Sequence, residues 1–177
     1  NHKTDNMQFH VRQYKGGTVV VNNGKAVKLN LATDSTLSAG VYPAFNPKYN
    51  VIAYSVNKTG QIFHTKHANK VEVQDSASDI ILFDMENLTL TNVANDTTKL
   101  EVFPWWSPDG RTLYYCSSHF PKRAPGQSAV DAEVRQYKSI KYSVLRRSYN
   151  PETGAFGAVD TVFNAAKMGK SATFPRV

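Results

Sequence analysis

Cysteine is the scarcest informative residue: the 177 residues hold one, Cys116. A single thiol excludes an intramolecular disulfide and any multi-cysteine zinc site, and it excludes the Cys-x-x-Cys-His pattern of covalent haem attachment. Long apolar runs are missing as well; no stretch approaches the ~18 consecutive apolar residues of a membrane-crossing helix. There is no Gly-x-Ser-x-Gly elbow, phosphate loop or zinc motif. No catalytic residue, metal or cofactor is therefore assigned from motifs. Helical periodicity is nearly absent, with only Asp131 to Gln136 and Ala165 to Met168 suited to short helices. No signal-peptide pattern opens the chain, which begins at Asn1 rather than Met; a start removed either by processing or by design is the expectation.

Against these absences stands a thirteen-residue phrase written twice. Tyr42-Pro43-Ala44-Phe45-Asn46-Pro47-Lys48-Tyr49-Asn50-Val51-Ile52-Ala53-Tyr54 returns 61 residues later (103 − 42) as Phe103-Pro104-Trp105-Trp106-Ser107-Pro108-Asp109-Gly110-Arg111-Thr112-Leu113-Tyr114-Tyr115. Phe174-Pro175 starts the phrase again, 71 residues further on (174 − 103). Self-similarity at such a period, with several short strand patterns in each period, marks an architecture in which each repeat is one supersecondary unit.

The phrase has a physical reading. Pro108 presets φ, Asp109 accepts from neighbouring backbone and Gly110 accepts positive φ, so Ser107 to Gly110 is a turn. The apolar run Leu113 to Cys116 then reads as a strand. In the earlier copy Tyr49 occupies the glycine position, and Asn50 is expected to take the left-handed conformation instead. Strand patterns also fall at Phe9–Arg12, Thr18–Val21, Ala26–Leu29, Asp79–Asp84, Leu88–Thr91, Ser139–Leu145 and Val159–Phe163. Turns are expected at Asn22-Asn23-Gly24, Met85-Glu86-Asn87 and Asn150 to Gly154.

The phrase resembles the WD-like β-propeller repeat of the TolB type, and the long first insertion is similar to that of Bacteroidetes-type envelope propeller proteins. The resemblance covers about residue 18 to the end. It implies an all-β fold of β-propeller blades, each a four-stranded antiparallel sheet, in a periplasmic or envelope-associated protein that binds rather than catalyses. Residues 1–177 then form a partial propeller: a blade remnant at about 8–40, blades at about 41–101 and 102–172, and the start of another at 173–177. Propellers close with about 4–8 blades, so a longer chain or self-association is expected, with open aromatic faces at Phe103, Trp105 and Trp106. The alternative is a propeller cap or accessory domain of a larger hydrolase, peptidase or haem protein whose active part lies elsewhere.

Two insertions interrupt the strands, Asn57 to Ser78 and Ser117 to Tyr137, each expected after the first strand of a blade. Loops longer than about 12 residues in a compact domain are often functional. Equivalent positions in neighbouring blades put both loops on one face, which makes His64, Lys66, His119, Lys122 and Arg123 the candidate ligand- or partner-binding residues. His64 and His67 have no nearby acid or cysteine and read as hydrogen-bonding groups rather than metal ligands. Residues 111–150 carry eight Lys and Arg against two Asp and Glu, a local +6 of the overall +7. Such a local field favours a protein, anionic glycan or other polyanion as partner; the competing reading is a solvated strand face. No nucleic-acid module signature is present.

Overall fold

The computed structural model describes residues 3–4, 7–10, 18–22, 25–29, 39–57, 64–67, 70–72, 78–94, 96, 98–119, 124–127 and 139–177. The strands before residue 40 and between 64 and 72 are described through their backbone pairing. The chain is all-β, with antiparallel sheets and no α-helix among the described residues.

Three meanders follow one another along the chain. The first contains β1 (Lys3–Thr4), β2 (Met7–His10), β3 (Thr18–Asn22) and β4 (Lys25–Leu29), side by side in chain order. Asn22 pairs with Lys25, leaving the two-residue hairpin loop that Asn23-Gly24 suits. The second contains β5 (Ala39–Phe45), β6 (Val51–Asn57), β9 (Ser78–Asp84) and β10 (Thr89–Ala94). A separate hairpin, β7 (His64–His67) with β8 (Lys70–Glu72), lies in the insertion between β6 and β9. The third contains β11 (Lys99–Trp106), β12 (Thr112–His119) and β13 (Ser143–Asn150). Its last strand is split into β14 (Ala155–Phe156) and β15 (Asp160–Phe163), both paired to β13.

The repeated phrase is one structural device used twice. Each copy is the end of a sheet's first strand, a turn, and the start of its second strand. The ladder slips at matching places, between Val41 and Ala44 and between Val102 and Trp105. Proline in both copies explains the slip, because it has no N–H to donate to a ladder. Tyr42 and Phe103 adopt φ 54° and 57°, and Phe174, at the start of the third copy, adopts φ 51°. Positive φ in a bulky residue costs on the order of 1–3 kcal/mol and persists where surroundings over-determine it. Here the three rings meet: Tyr42 lies 4.7 Å from Phe103 and 6.0 Å from Phe174, and Phe103 lies 4.1 Å from Phe174. Leu100, Val102, Cys116 and Tyr142 complete that cluster.

The second and third sheets stack face to face. Ala44, Val51, Ala53, Ile80, Leu82 and Val93 of one meet Trp106, Leu113, Tyr115, Leu145 and Tyr149 of the other. Trp106, 4% exposed, donates its indole N–H to the Ala44 carbonyl at 3.1 Å. Arg147 donates to the carbonyls of Val93 and Gly157. The repeat equivalents of Leu113 and Tyr115 are Ile52 and Tyr54, which lie on the opposite face of the second sheet and are also buried. The contact is therefore head-to-tail, with a different face used by each partner, and such a relation propagates.

Several expectations are corrected here. Trp106 and Phe103 are buried rather than open, because the indole seats on the second sheet and Phe103 sits in the ring cluster. Trp105 is half-buried under the Arg176 guanidinium, 3.8 Å from the ring centroid. Among the described residues, the exposed large apolar ones are instead Leu88, Val159, Val162, Phe163, Met168, Phe174 and Val177. Asn50 does not take positive φ. Asn46 shapes that turn, its Oδ1 accepting the N–H groups of Lys48 and Tyr49 at 2.9 and 3.1 Å. The strand expected to begin at Ser139 begins at Ser143 and runs to Asn150, since Tyr142 instead bonds the C-terminal segment through Ser171 Oγ and the Ala172 N–H.

Candidate functional site

The two insertions leave their sheets at equivalent points, after the second strand rather than the first: β6 leads to β9 and β12 to β13. Where β12 ends, Ser117-Ser118-His119 form one wall of a cleft of about 230 Å³. The start of β13, residue Thr161 of β15 and the segment Asn164 to Ala166 form the others. Hydrogen bonds fix these walls. Lys141 donates its backbone N–H to Ser118 Oγ at 3.1 Å, and Ser118 donates in turn to the His119 carbonyl at 3.4 Å. Ser143 donates to Asn164 Oδ1 at 3.4 Å and accepts the Ala166 N–H at 3.3 Å, tying the 3-10 turn Ala166–Met168 down over the strand.

Lys99, Lys141 and His119 line this cleft. Lys99 is ion-paired with Asp96 at 2.7 Å. That bond, with two from Thr98, holds the Asp96 carboxyl well below the usual carboxylate range. Ser117, 6% exposed, has a hydroxyl with no hydrogen-bond partner. Its cross-strand neighbours are Glu101 on β11 and Ser143 on β13. Glu101 is 4% exposed, and burial pushes its carboxyl up to about 7, with the charges of Asp79 and Asp96 acting in the same direction. The Asp96 N–H, 3.3 Å from Glu101 Oε2, and the Lys99 charge oppose part of that rise.

The expected site residues fare unequally. His119 lies in the cleft at the end of β12. His64 and Lys66 lie on β7, in the hairpin within the first insertion. Lys122 and Arg123 lie outside the described residues. Of the local basic excess, Arg146 is paired with Asp160 at 2.8 Å, Arg147 serves backbone carbonyls, and Arg111 faces Glu152 at 3.7 Å. Those three charges are engaged in structure, whereas Lys141 lines the cleft. Sequence reasoning missed Lys99, Lys141, Ser117 and Glu101 as a group, since no spacing rule joins residues brought together only by strand pairing.

Acids elsewhere have structural work. Asp84, where hydrogen bonds from Asn87 and Glu86 outweigh the larger single effect of desolvation, sits below its usual range and caps the turn to β10. Asp79 is buried and accepts from Asn92 Nδ2 at 3.0 Å. Among the described residues no three His, Cys, Asp or Glu side chains cluster to hold a metal ion. Among them, too, no helix is long and apolar enough to cross a membrane, which says nothing of a β-barrel. No family model matches the chain, and no curated protein matches it.

Proposed function

We propose that this chain is part of a β-propeller of the TolB-like kind, serving as a non-catalytic binding module in a bacterial envelope. The observation that carries the reading is the meeting of Tyr42, Phe103 and Phe174, one from each copy of the phrase, in the same positive-φ conformation. Equivalent residues of successive units converge in this way when four-stranded sheets are set around a shared axis, as in propellers. Head-to-tail stacking of the second and third sheets supports the same arrangement. The insertions leave from equivalent strand ends, which supports a shared face in neighbouring units, and an anionic partner is the chemistry that the local basic excess favours.

The experiment is a binding screen of the purified chain against immobilised sulfated glycan, polyglutamate and neutral dextran, run beside generic ester, peptide and phosphomonoester substrates. Retention on the anionic surfaces that weakens steeply with salt, without turnover, is the expected result. Turnover that disappears on substitution of a cleft residue would overturn the reading in favour of an enzyme.

A further inference from the structure

The cleft beside His119 has a chemistry that the scaffold does not require. Its floor holds a hydroxyl, that of Ser117, more than nine-tenths buried and without a hydrogen-bond partner. Leaving such a group unmade is costly, and native interiors rarely tolerate it. The other hydroxyls nearby, of Ser118 and Ser143, are already engaged. Lys99, Lys141 and His119 line the cleft with Ser117, and each carries N–H donors. Asp96 neutralises part of Lys99 but is itself saturated by Lys99 and Thr98, and burial disfavours the charged form of Glu101, the cross-strand neighbour of Ser117. No carboxylate pairs with Lys141 among the described residues. At about 230 Å³ the cleft falls below the ~300–1,000 Å³ of sites for drug-sized ligands and suits a small head group.

We propose that this cleft is a subsite for a small oxyanion of the phosphate or sulfate type, held by Lys141, Lys99 and His119 and bonded by the Ser117 hydroxyl. A tetrahedral oxyanion offers several acceptor oxygens to donors that converge from different walls, and charged hydrogen bonds of this kind are the stronger class. The proposal rests on the chain being a binding module and names the chemical group that the module takes. Free anion and anion-bearing ligand share this head group, so inorganic phosphate is a sufficient probe.

The test is calorimetric titration of the intact chain with inorganic phosphate and with sulfate, at fixed ionic strength set by sodium chloride. Saturable binding is expected. Lys141→Ala should weaken it about tenfold, the scale of one charged hydrogen bond. Ser117→Ala should weaken it severalfold while leaving the melting temperature unchanged or slightly raised, because an unpartnered buried hydroxyl is removed. Lys170→Ala, an exposed position outside the cleft, should bind as the unsubstituted chain does. Absence of saturable binding, equal weakening by Lys170→Ala, or a Ser117→Ala variant that is destabilised and binds normally would each overturn the subsite. Loss of the subsite with salt-sensitive retention on sulfated glycan intact would leave the binding-module reading standing. Phosphomonoester turnover would remove both.

Discussion

The two complete copies of the phrase build the same turn with different chemistry. In the second copy, Ser107 Oγ donates to Asp109 Oδ1 and accepts the Thr112 N–H, Asp109 accepts the Arg111 N–H, and Gly110 supplies φ 70°. In the first, the Asn46 amide joins the backbone bonds between Asn46, Tyr49 and Val51 in organising the turn, and no residue from Asn46 to Asn50 has positive φ. The turns are also joined: Asn46 Nδ2 donates to the Gly110 carbonyl at 2.9 Å, and a Cβ at Gly110 would come within 2.3 Å of Asn46 Oδ1. Gly110 is thus needed for its conformation and for the approach of its neighbour. The repeat preserves position, while the means of holding each position have diverged.

The same comparison separates frame from site. Trp106, Leu113 and Tyr115 have apolar or aromatic equivalents in Phe45, Ile52 and Tyr54. Glu101 and Ser117 correspond to Gly40 and Val56. What the copies share holds sheets together; of the two unshared residues, Ser117 lines the cleft and Glu101 is its cross-strand neighbour.

Substitution should break the comparison most at Trp106. Trp106→Ala removes a buried ring and an inter-sheet hydrogen bond and should cost about 3–5 kcal/mol. Phe45→Ala, at the half-buried equivalent, should cost clearly less in the same denaturation experiment. If the two losses are equal, the sheets do not stack in the sense described.

Glu101 gives the next largest effect, through pH. Its folded-state pKa lies near 7, above the ordinary glutamate value of about 4.3. The native state therefore holds the proton more tightly than the unfolded chain between these values. Its contribution is fully present below about pH 4.3 and is lost as pH rises to 7, amounting to about 3–4 kcal/mol. Glu101→Gln should flatten that slope and raise stability at pH 8 relative to the unsubstituted chain. Parallel melting curves for the two proteins across pH 4–8 would show that the carboxyl is solvated instead.

The smaller contrast lies within the first turn. Asn46→Ala should cost about 1–2 kcal/mol, since a buried carbonyl and two backbone N–H groups lose their partner. Asn50→Ala should stay within about 0.5 kcal/mol, as expected for a surface position, even though its amide donates to Glu86 Oε1 at 2.6 Å. Chemical denaturation of the two variants checks the pair, and a reversed order would show that the Asn50 side chain, not that of Asn46, holds the turn.

Much of the fold was legible because turns and alternating strands are local. The phrase at Tyr42 and Phe103, the hairpin at Asn22, and the turns after Asp84 and Asn150 could all be read from neighbouring residues. The fate of Phe103 and Trp106 could not, because burial is decided by another sheet some 60 residues away in sequence, in a stack that periodicity suggests but does not orient. Asn50 misled for a related reason: a turn short of glycine was solved by the side chain of Asn46, not by an unusual backbone. Of the site, only His119 carried a signal, through its place after a strand beside two serines. Lys141 looked like one more outward charge, and Ser117 like a strand residue, until pairing of β11, β12 and β13 set them beside Glu101 and Lys99.

The central claim is that equivalent residues of successive repeat copies share one junction, and a double-mutant cycle on Tyr42 and Phe103 tests it most directly. Their rings lie 4.7 Å apart, edge to face. Tyr42→Leu, Phe103→Leu and the double variant, compared by reversible denaturation, should show a coupling energy of about 0.5–1.5 kcal/mol. Additivity within about 0.3 kcal/mol, the behaviour of sites that do not touch, would contradict a shared junction and with it the proposed propeller arrangement.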